Sequence, residues 1–180
     1  MYSMTNPNNL TFELPPVEQY PLPEGYSFST VDTITPIEFR DLYNLSEMGS
    51  KVTEIYLGHR AEQLAEMGYS HIDIGVRKDD GELVGFGSVA YDERMIGQLD
   101  GLIVHPDHQS KGIGKALVIK RMTEAEKLGV VSYHMYGLDD DPAILPTNSM
   151  KSFYFELGFT ELENGELIRG SQPDPVAIEQ

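Results

Sequence analysis

The sequence predicts a single α+β domain built on one mixed, mostly antiparallel sheet with helices on both of its faces. Three observations lead there. The elements run strand, two helices, three strands, helix, strand, helix and hairpin, which lacks the regular alternation of a doubly wound sheet. One crossover helix joins the strand at 96–105 to the strand at 130–136, which makes those two parallel neighbours. A length of 180 residues is close to one domain by the usual prior of about 150 residues per domain.

Each element has a local reason. Residues 1–24 hold Pro7, Pro15, Pro16, Pro21 and Pro23 and no basic residue, a composition suited to an extended arm. The folded domain is expected over 25–170, followed by a tail at 171–180. Tyr26 to Val31 reads as a short strand. Thr35-Pro36-Ile37-Glu38 combines an N-cap, an early proline and a glutamate at the third helical position, so a helix should run to about Met48 and stop at Gly49. Ser50 can cap a second helix carrying Ile55, Leu57, Leu64 and Ala65 through Met67, with Gly68 ending it. Alternation of Ile72, Ile74 and Val76 with His71, Asp73 and Arg77 predicts a half-buried strand. The Asp80-Gly81 turn leads to strands at Glu82–Tyr91 and Ile96–His105, an antiparallel meander closed by Pro106. Gly112 to Leu128 reads as a long helix rich in Ala116, Leu117, Val118, Ile119 and Met122, ended by Gly129. A buried strand at Val130–Tyr136 and a helix at about Asn148–Leu157, stopped by Gly158, come next. Asn164-Gly165 is a type I′ hairpin signal between two last strand segments.

Composition narrows the chemistry. With 29 acidic against 13 basic residues, the formal charge of −16 repels polyphosphate and argues against nucleic acid as a partner. No apolar run approaches the roughly 18 residues that span a bilayer, so no membrane partner is expected. The absence of cysteine removes disulfides, thiolate metal sites and a covalent cysteine intermediate. Arg40 is the first basic residue, so no basic secretory leader is visible, and the expected location is cytoplasmic. The five histidines show neither H-x-x-x-H nor H-E-x-x-H spacing, and no metal is expected.

Chemistry concentrates where the third meander strand ends: Val104-His105-Pro106-Asp107-His108-Gln109-Ser110-Lys111-Gly112-Ile113-Gly114-Lys115. Free N–H groups at a helix start favour an anion, and Gly112 and Gly114 allow a phosphate to approach the backbone. Lys111 and Lys115 add positive charge, within a stretch from His108 to Thr123 that holds no acid. P-loop spacing is absent, as is the third glycine of a dinucleotide fingerprint. Gln109-x-x-Gly112-x-Gly114 resembles the pyrophosphate loop of the GNAT superfamily of acyl-CoA-dependent N-acetyltransferases, and Phe153-Tyr154-Phe155-Glu156-Leu157-Gly158-Phe159 resembles the aromatic and Gly-Phe signature of that family's later helix. The resemblance covers roughly residues 26–169.

The resemblance implies an α/β sandwich whose central parallel strands splay apart to bind acetyl-CoA. Gln109, Ser110, Lys111, Gly112, Ile113, Gly114 and Lys115 would hold the coenzyme A pyrophosphate, and Leu102, Ile103 and Val104 would pair with the pantetheine arm. Tyr154 falls where the family keeps the tyrosine that protonates the departing thiolate. The family's usual glutamate position is Gln98 here; Asp100, two residues on and on the same face by alternation, is the candidate general base, ahead of His71, Asp73 and Glu93. Asn148 is similar to the family's asparagine before the tyrosine, one residue off its usual spacing, and is a further cofactor contact or only a helix cap. Asp139-Asp140-Asp141 could meet a cationic amine or form a solvated loop, and Tyr133, His134 and Tyr136 could border the acceptor pocket or pack as a buried strand. The activity implied is direct transfer of an acetyl group to a primary amine of a small molecule or peptide. A homodimer is compatible with the family. A binding module without turnover and a protein N-acetyltransferase are the rival readings.

Overall fold

The structure, a computed structural model, describes residues 19–46, 51–135, 148–163 and 165–170. Its strands are β1 (Tyr26–Thr30), β2 (Ser70–Lys78), β3 (Leu83–Tyr91), β4 (Ile96–Val104), β5 (Ser132–Met135), β6 (Thr160–Glu161) and β7 (Leu167–Gly170). The helices are α1 (Pro36–Leu45), α2 (Tyr56–Glu66), α3 (Ile113–Lys127) and α4 (Asn148–Glu156). One sheet runs in the order β1-β2-β3-β4-β5-β7-β6. Its β4–β5 pair is parallel, and the pairings of β1 through β4 and of β5, β7 and β6 are antiparallel. The expected mixed, mostly antiparallel sheet is thus what the chain forms.

Both faces are covered. Phe39, Leu42 and Leu57 of α1 and α2 pack on Phe86 and Ile103 on one side. On the other, Val118, Met122 and Ala125 of α3 meet Tyr154 and Leu157 around Val89 and Leu99. This double cover corrects the half-buried reading of β2: Asp73 is buried along with Ile74 and Val76. Tyr20 and Leu22, at the end of the proline-rich segment, lie against the same cores.

Element ends differ from expectation where side chains intervene. The capping box at Thr35 and Glu38 forms as expected. However, α1 stops at Leu45, because the backbone N–H and hydroxyl of Ser46 both donate to the Tyr43 carbonyl at 3.0 and 2.6 Å. Residues 47–50, with the expected Gly49 stop and Ser50 cap, lie outside the described residues. The second helix starts at Tyr56, later than Ser50 would set it, since the Asn44 amide clamps Val52 N and O at 2.8 and 3.0 Å and holds that segment off the helix. Ile55 and Ala65 are therefore exposed, and Leu57 is the buried anchor of α2. At the hairpin, Gly165 takes φ +84° while Asn164 lies outside the described residues.

Two features set the local geometry of β4. Its pairing with β5 covers Ile96, Gln98 and Gly97 against Ser132, His134 and Tyr133, and no described strand pairs with β4 on that side beyond Gln98. Its register with β3 shifts between Phe86 and Ser88, where Gly101 supplies φ +59° and β4 holds one extra residue.

Candidate active site

The loop after β4 is held by its own polar groups. Gln109 Nε2 donates to the Val104 carbonyl at 3.1 Å, and Lys111 Nζ donates to the Asp107 carbonyl at 3.1 Å. The Tyr26 hydroxyl lies 2.8 Å from His108 Nδ1, which ties the loop to β1 across the sheet edge. Burial, with Lys111 beside it, lowers the pKa of His108 below its ordinary value, so the ring is neutral near pH 7. Ser110 and Gly112 both adopt positive φ, +60° and +87°. No heavy atom lies within 4 Å of the position a Cβ on Gly112 would take, so the space above the loop is open.

Gly112 is also the N-cap of α3, and no side chain caps it. A glycine in place of a capping side chain costs a helix about a few tenths of a kcal/mol. That loss is outweighed by α3's fully buried Leu117, Ile119 and Met122, each contributing about 1.5–3 kcal/mol. The 15-residue helix thus starts with its first N–H groups free of side-chain caps, between Lys111 and Lys115 in the sequence. Lys115 is ion-paired to Glu156 of α4. An open, uncapped helix start of this kind is a place where an anion can bind.

Next to the loop, Leu102 and Val104 are half-buried on the α3 side of β4, whereas Ile103 is buried under α1 and α2. Tyr154 sits on α4 with 4% exposure, its ring edge-on to Phe153 and Phe159 at 5.0 and 5.3 Å. Burial raises its pKa above the ordinary phenol value, and the Arg121 guanidinium beside it acts in the opposite direction. Arg121, on α3, is wholly buried; its Nη1 donates to the Ser88 and Asp100 carbonyls, each at 2.7 Å.

Asp100 does not stand alone on the opposite face. Arg60 of α2 donates to Asp100 Oδ2 from Nη2 at 2.8 Å and from Nε at 3.2 Å, and to Ser88 Oγ at 3.0 Å. Arg60 Nη1 is also 3.6 Å from Asp73 Oδ1, and His71 Nε2 is 3.7 Å from Asp73 Oδ2. Asp100, Asp73 and His71 therefore form one cluster around Arg60. Glu93 is exposed in the turn between β3 and β4, at the end of β4 remote from the loop. Tyr133 is buried with its hydroxyl on the Met122 carbonyl at 2.8 Å, and His134 pairs with Glu166, so the polar groups of both are engaged within the fold. Tyr136, Asp139, Asp140 and Asp141 lie outside the described residues. So does the side chain of Asn148, whose backbone begins α4.

Sequence reading missed Arg60 and Arg121. The signal for Arg121 was present: it stands four residues after Leu117 and four before Ala125, a charge on a buried stripe.

A mixed sheet with one central parallel pair beside a glycine-bearing helix start is the architecture of acetyltransferase structures. The fold matches, each with a TM-score of 0.62, a GNAT-family acetyltransferase from Staphylococcus aureus Mu50 (14% identity, 82% of this chain and 99% of that one) and a phosphinothricin acetyltransferase from Sinorhizobium meliloti in complex with AcCoA (14% identity, 84% and 94%). It also matches, at 0.62, a tandem GNAT protein from the clavulanic acid biosynthesis pathway, 21% identical over 77% of this chain; the chain spans 45% of that tandem protein's length. At these identities the likeness is one of fold. The family itself is shown by a sequence model described as "Acetyltransferase (GNAT) domain", which matches residues 70–161, just over half the chain. The chain belongs to the GNAT acetyltransferase family.

Proposed function

We propose that this chain is an N-acetyltransferase that moves an acetyl group from acetyl-CoA to a primary amine of a small molecule or a peptide. The observation that carries the reading is the open, uncapped start of α3 at Gly112, flanked by Lys111 and Lys115 and following the end of β4. Gln109, Ser110, Lys111, Gly112, Ile113, Gly114 and Lys115 hold the pyrophosphate through backbone N–H groups and two cations. Leu102, Ile103 and Val104 offer the main-chain groups that an extended amide-bearing arm pairs with. Acetyl-CoA supplies a thioester carbonyl that a neutral amine attacks. With no cysteine in the chain, transfer is direct.

The reaction needs one proton removed from nitrogen and one delivered to sulfur. Tyr154 donates its phenolic proton to the departing sulfur, and the fixed aromatic pair on either side keeps its ring in place. Asp100 accepts the amine proton, directly or through a water; its Oδ2 also receives Arg60 Nη2 at 2.8 Å. Asn148, at the start of α4, is a further cofactor contact in this reading.

The hold of Arg60 on Asp100 also favours a second reading, a module that binds acetyl-CoA without turnover. Calorimetric titration with acetyl-CoA, on wild type and on Gly112→Val, tests both. We expect micromolar binding that the valine abolishes, since its Cβ enters that helix start at a positive φ. An amine panel of polyamines, aminoglycosides, amino acids and peptides then separates the two: acetylation of any supports the enzyme, and binding with no turnover supports the module. Peptide acetylation alone marks a protein acceptor. No binding by the wild type overturns the proposal.

A further inference from the structure

Arg60 reaches over a row of three side chains that the strand pairings set next to one another: Asp73 of β2, Ser88 of β3 and Asp100 of β4. Its Nε and Nη2 donate to Asp100 Oδ2, and Nη2 also donates to Ser88 Oγ, but Nη1 stops 3.6 Å from Asp73 Oδ1. Both of those last atoms are buried, and neither has a hydrogen-bond partner. His71 Nε2, 3.7 Å from Asp73 Oδ2, is also beyond hydrogen-bond distance. A carboxylate shut away from water and short of hydrogen bonds is costly, and the guanidinium within its reach is engaged elsewhere. Closing that gap by about 0.7 Å would give the separation of a charge-assisted hydrogen bond.

Exposure separates the two acids. The Asp73 side chain is 2% exposed, that of Arg60 12% and that of Asp100 35%, so a molecule arriving from solvent meets Asp100 first. Two carboxylates share one guanidinium, and the seat that solvent reaches is the one Arg60 fills. We propose that Arg60 is a displaceable counter-ion: the acceptor enters as an alkylammonium and takes Asp100, and the guanidinium shifts onto Asp73. The acceptor class is then amines that arrive protonated, because a neutral amine brings no charge to replace the one it displaces. Asp73 is the second seat that offsets the loss of the first, and Arg60 is a specificity-determining residue that acts through Asp100. This rests on the reading of Asp100 as the residue that meets the amine.

The test uses the full chain with isotope-labelled arginine and aspartate, and n-butylammonium as the probe. It needs neither acetyl-CoA nor the true acceptor. The Arg60 Nε–H resonance, assigned by its loss in Arg60→Lys, should move saturably with butylammonium. It should stay still with n-butanol, which has a similar shape and no charge, and with sodium at matched ionic strength. In Asp100→Asn, which removes the charge of the seat, the saturable shift should be lost. In Asp73→Asn, which removes the second seat, the probe should bind about tenfold more weakly, the worth of one charge-assisted hydrogen bond. A resonance that stays still in the wild type, one that butanol or sodium moves as far, or a shift retained in Asp100→Asn overturns the proposal. So does equal affinity in a folded Asp73→Asn. If near-UV circular dichroism shows either variant unfolded, the carboxyl carbon resonances of Asp73 and Asp100 in the wild type decide. Both must follow the binding curve of Arg60 Nε, and an Asp73 signal that stays still overturns the transfer. Failure of the base reading is a separate result, seen as an unchanged kcat of Asp100→Asn with the amine the panel identifies, and it leaves the wild-type titration as it is.

Discussion

Two arginines grip one residue pair from opposite faces of the sheet. Ser88 and Asp100 oppose each other beside the β3–β4 register shift. Arg60 takes their side chains from the α2 side, and Arg121 takes their carbonyls from the α3 side. A bulge leaves backbone groups without regular ladder partners, and charged donors are the stronger way to satisfy them in a buried place. The bulge is thus rigid where the proposed base sits. At the same scale, replacing Tyr154 by Phe removes one oxygen and keeps the ring in its aromatic contacts. With the amine identified by the panel, kcat should fall on the order of 10²-fold, while calorimetric affinity for acetyl-CoA changes little. An unchanged kcat would show that another group protonates the sulfur. The glycine turn within Gln109–Lys115 was legible because it is local, set by consecutive residues. The engagement of Asp100 was not, since Arg60 lies 40 positions away in the chain and meets it only across the packed sheet.

Among the elements, α1 shows how one carboxylate serves two levels of structure. Glu38 closes the capping box on Thr35 N at 2.8 Å and also receives Arg77 Nη1 of β2 at 2.6 Å, so it anchors the helix to the sheet. The Arg77 guanidinium, opposed by burial and aided by Thr35, holds its pKa at about 2 against an ordinary 4.5. Because the folded value is depressed, its contribution is complete above about pH 4.5 and is lost as pH falls toward 2. Glu38→Gln should therefore melt below wild type near neutrality, with the gap in Tm narrowing at about pH 3. A gap that persists there would mean that the pair adds nothing titratable to stability. The capping box was readable from four consecutive residues, but its partner Arg77 was not. The start of α2 failed for the same reason: Ser50 offers a plausible local cap, yet Asn44, on the preceding helix, holds Val52 in a non-helical turn.

For the whole molecule, the proposed ligand joins the end of β4 to the start of α3, so binding should brace those two elements against each other. At a concentration about 100-fold above its dissociation constant, acetyl-CoA should stabilise the fold by about 2.7 kcal/mol. For a chain of 180 residues that corresponds to a rise in Tm of about 5–10 °C, read by scanning calorimetry. Gly112→Val should lose this rise, and its unliganded Tm should fall by about 2–12 °C, since a Cβ there meets nothing within 4 Å but the positive φ costs about 1–3 kcal/mol. A rise retained in full by the variant would place the ligand elsewhere.

The sequence by itself determined the succession of elements, the antiparallel meander, the parallel β4–β5 pair and the glycine loop at the start of α3. These follow from periodicity, capping and chirality, which act over a few residues or one crossover. Only the tertiary structure decided that Asp73 is buried, and that Arg60 and Arg121 converge on Ser88 and Asp100 from two helices. Those facts depend on which faces are brought within hydrogen-bond reach. That reach, about 3 Å between donor and acceptor, is set by packing across the sheet and leaves no mark in the spacing of residues along the chain.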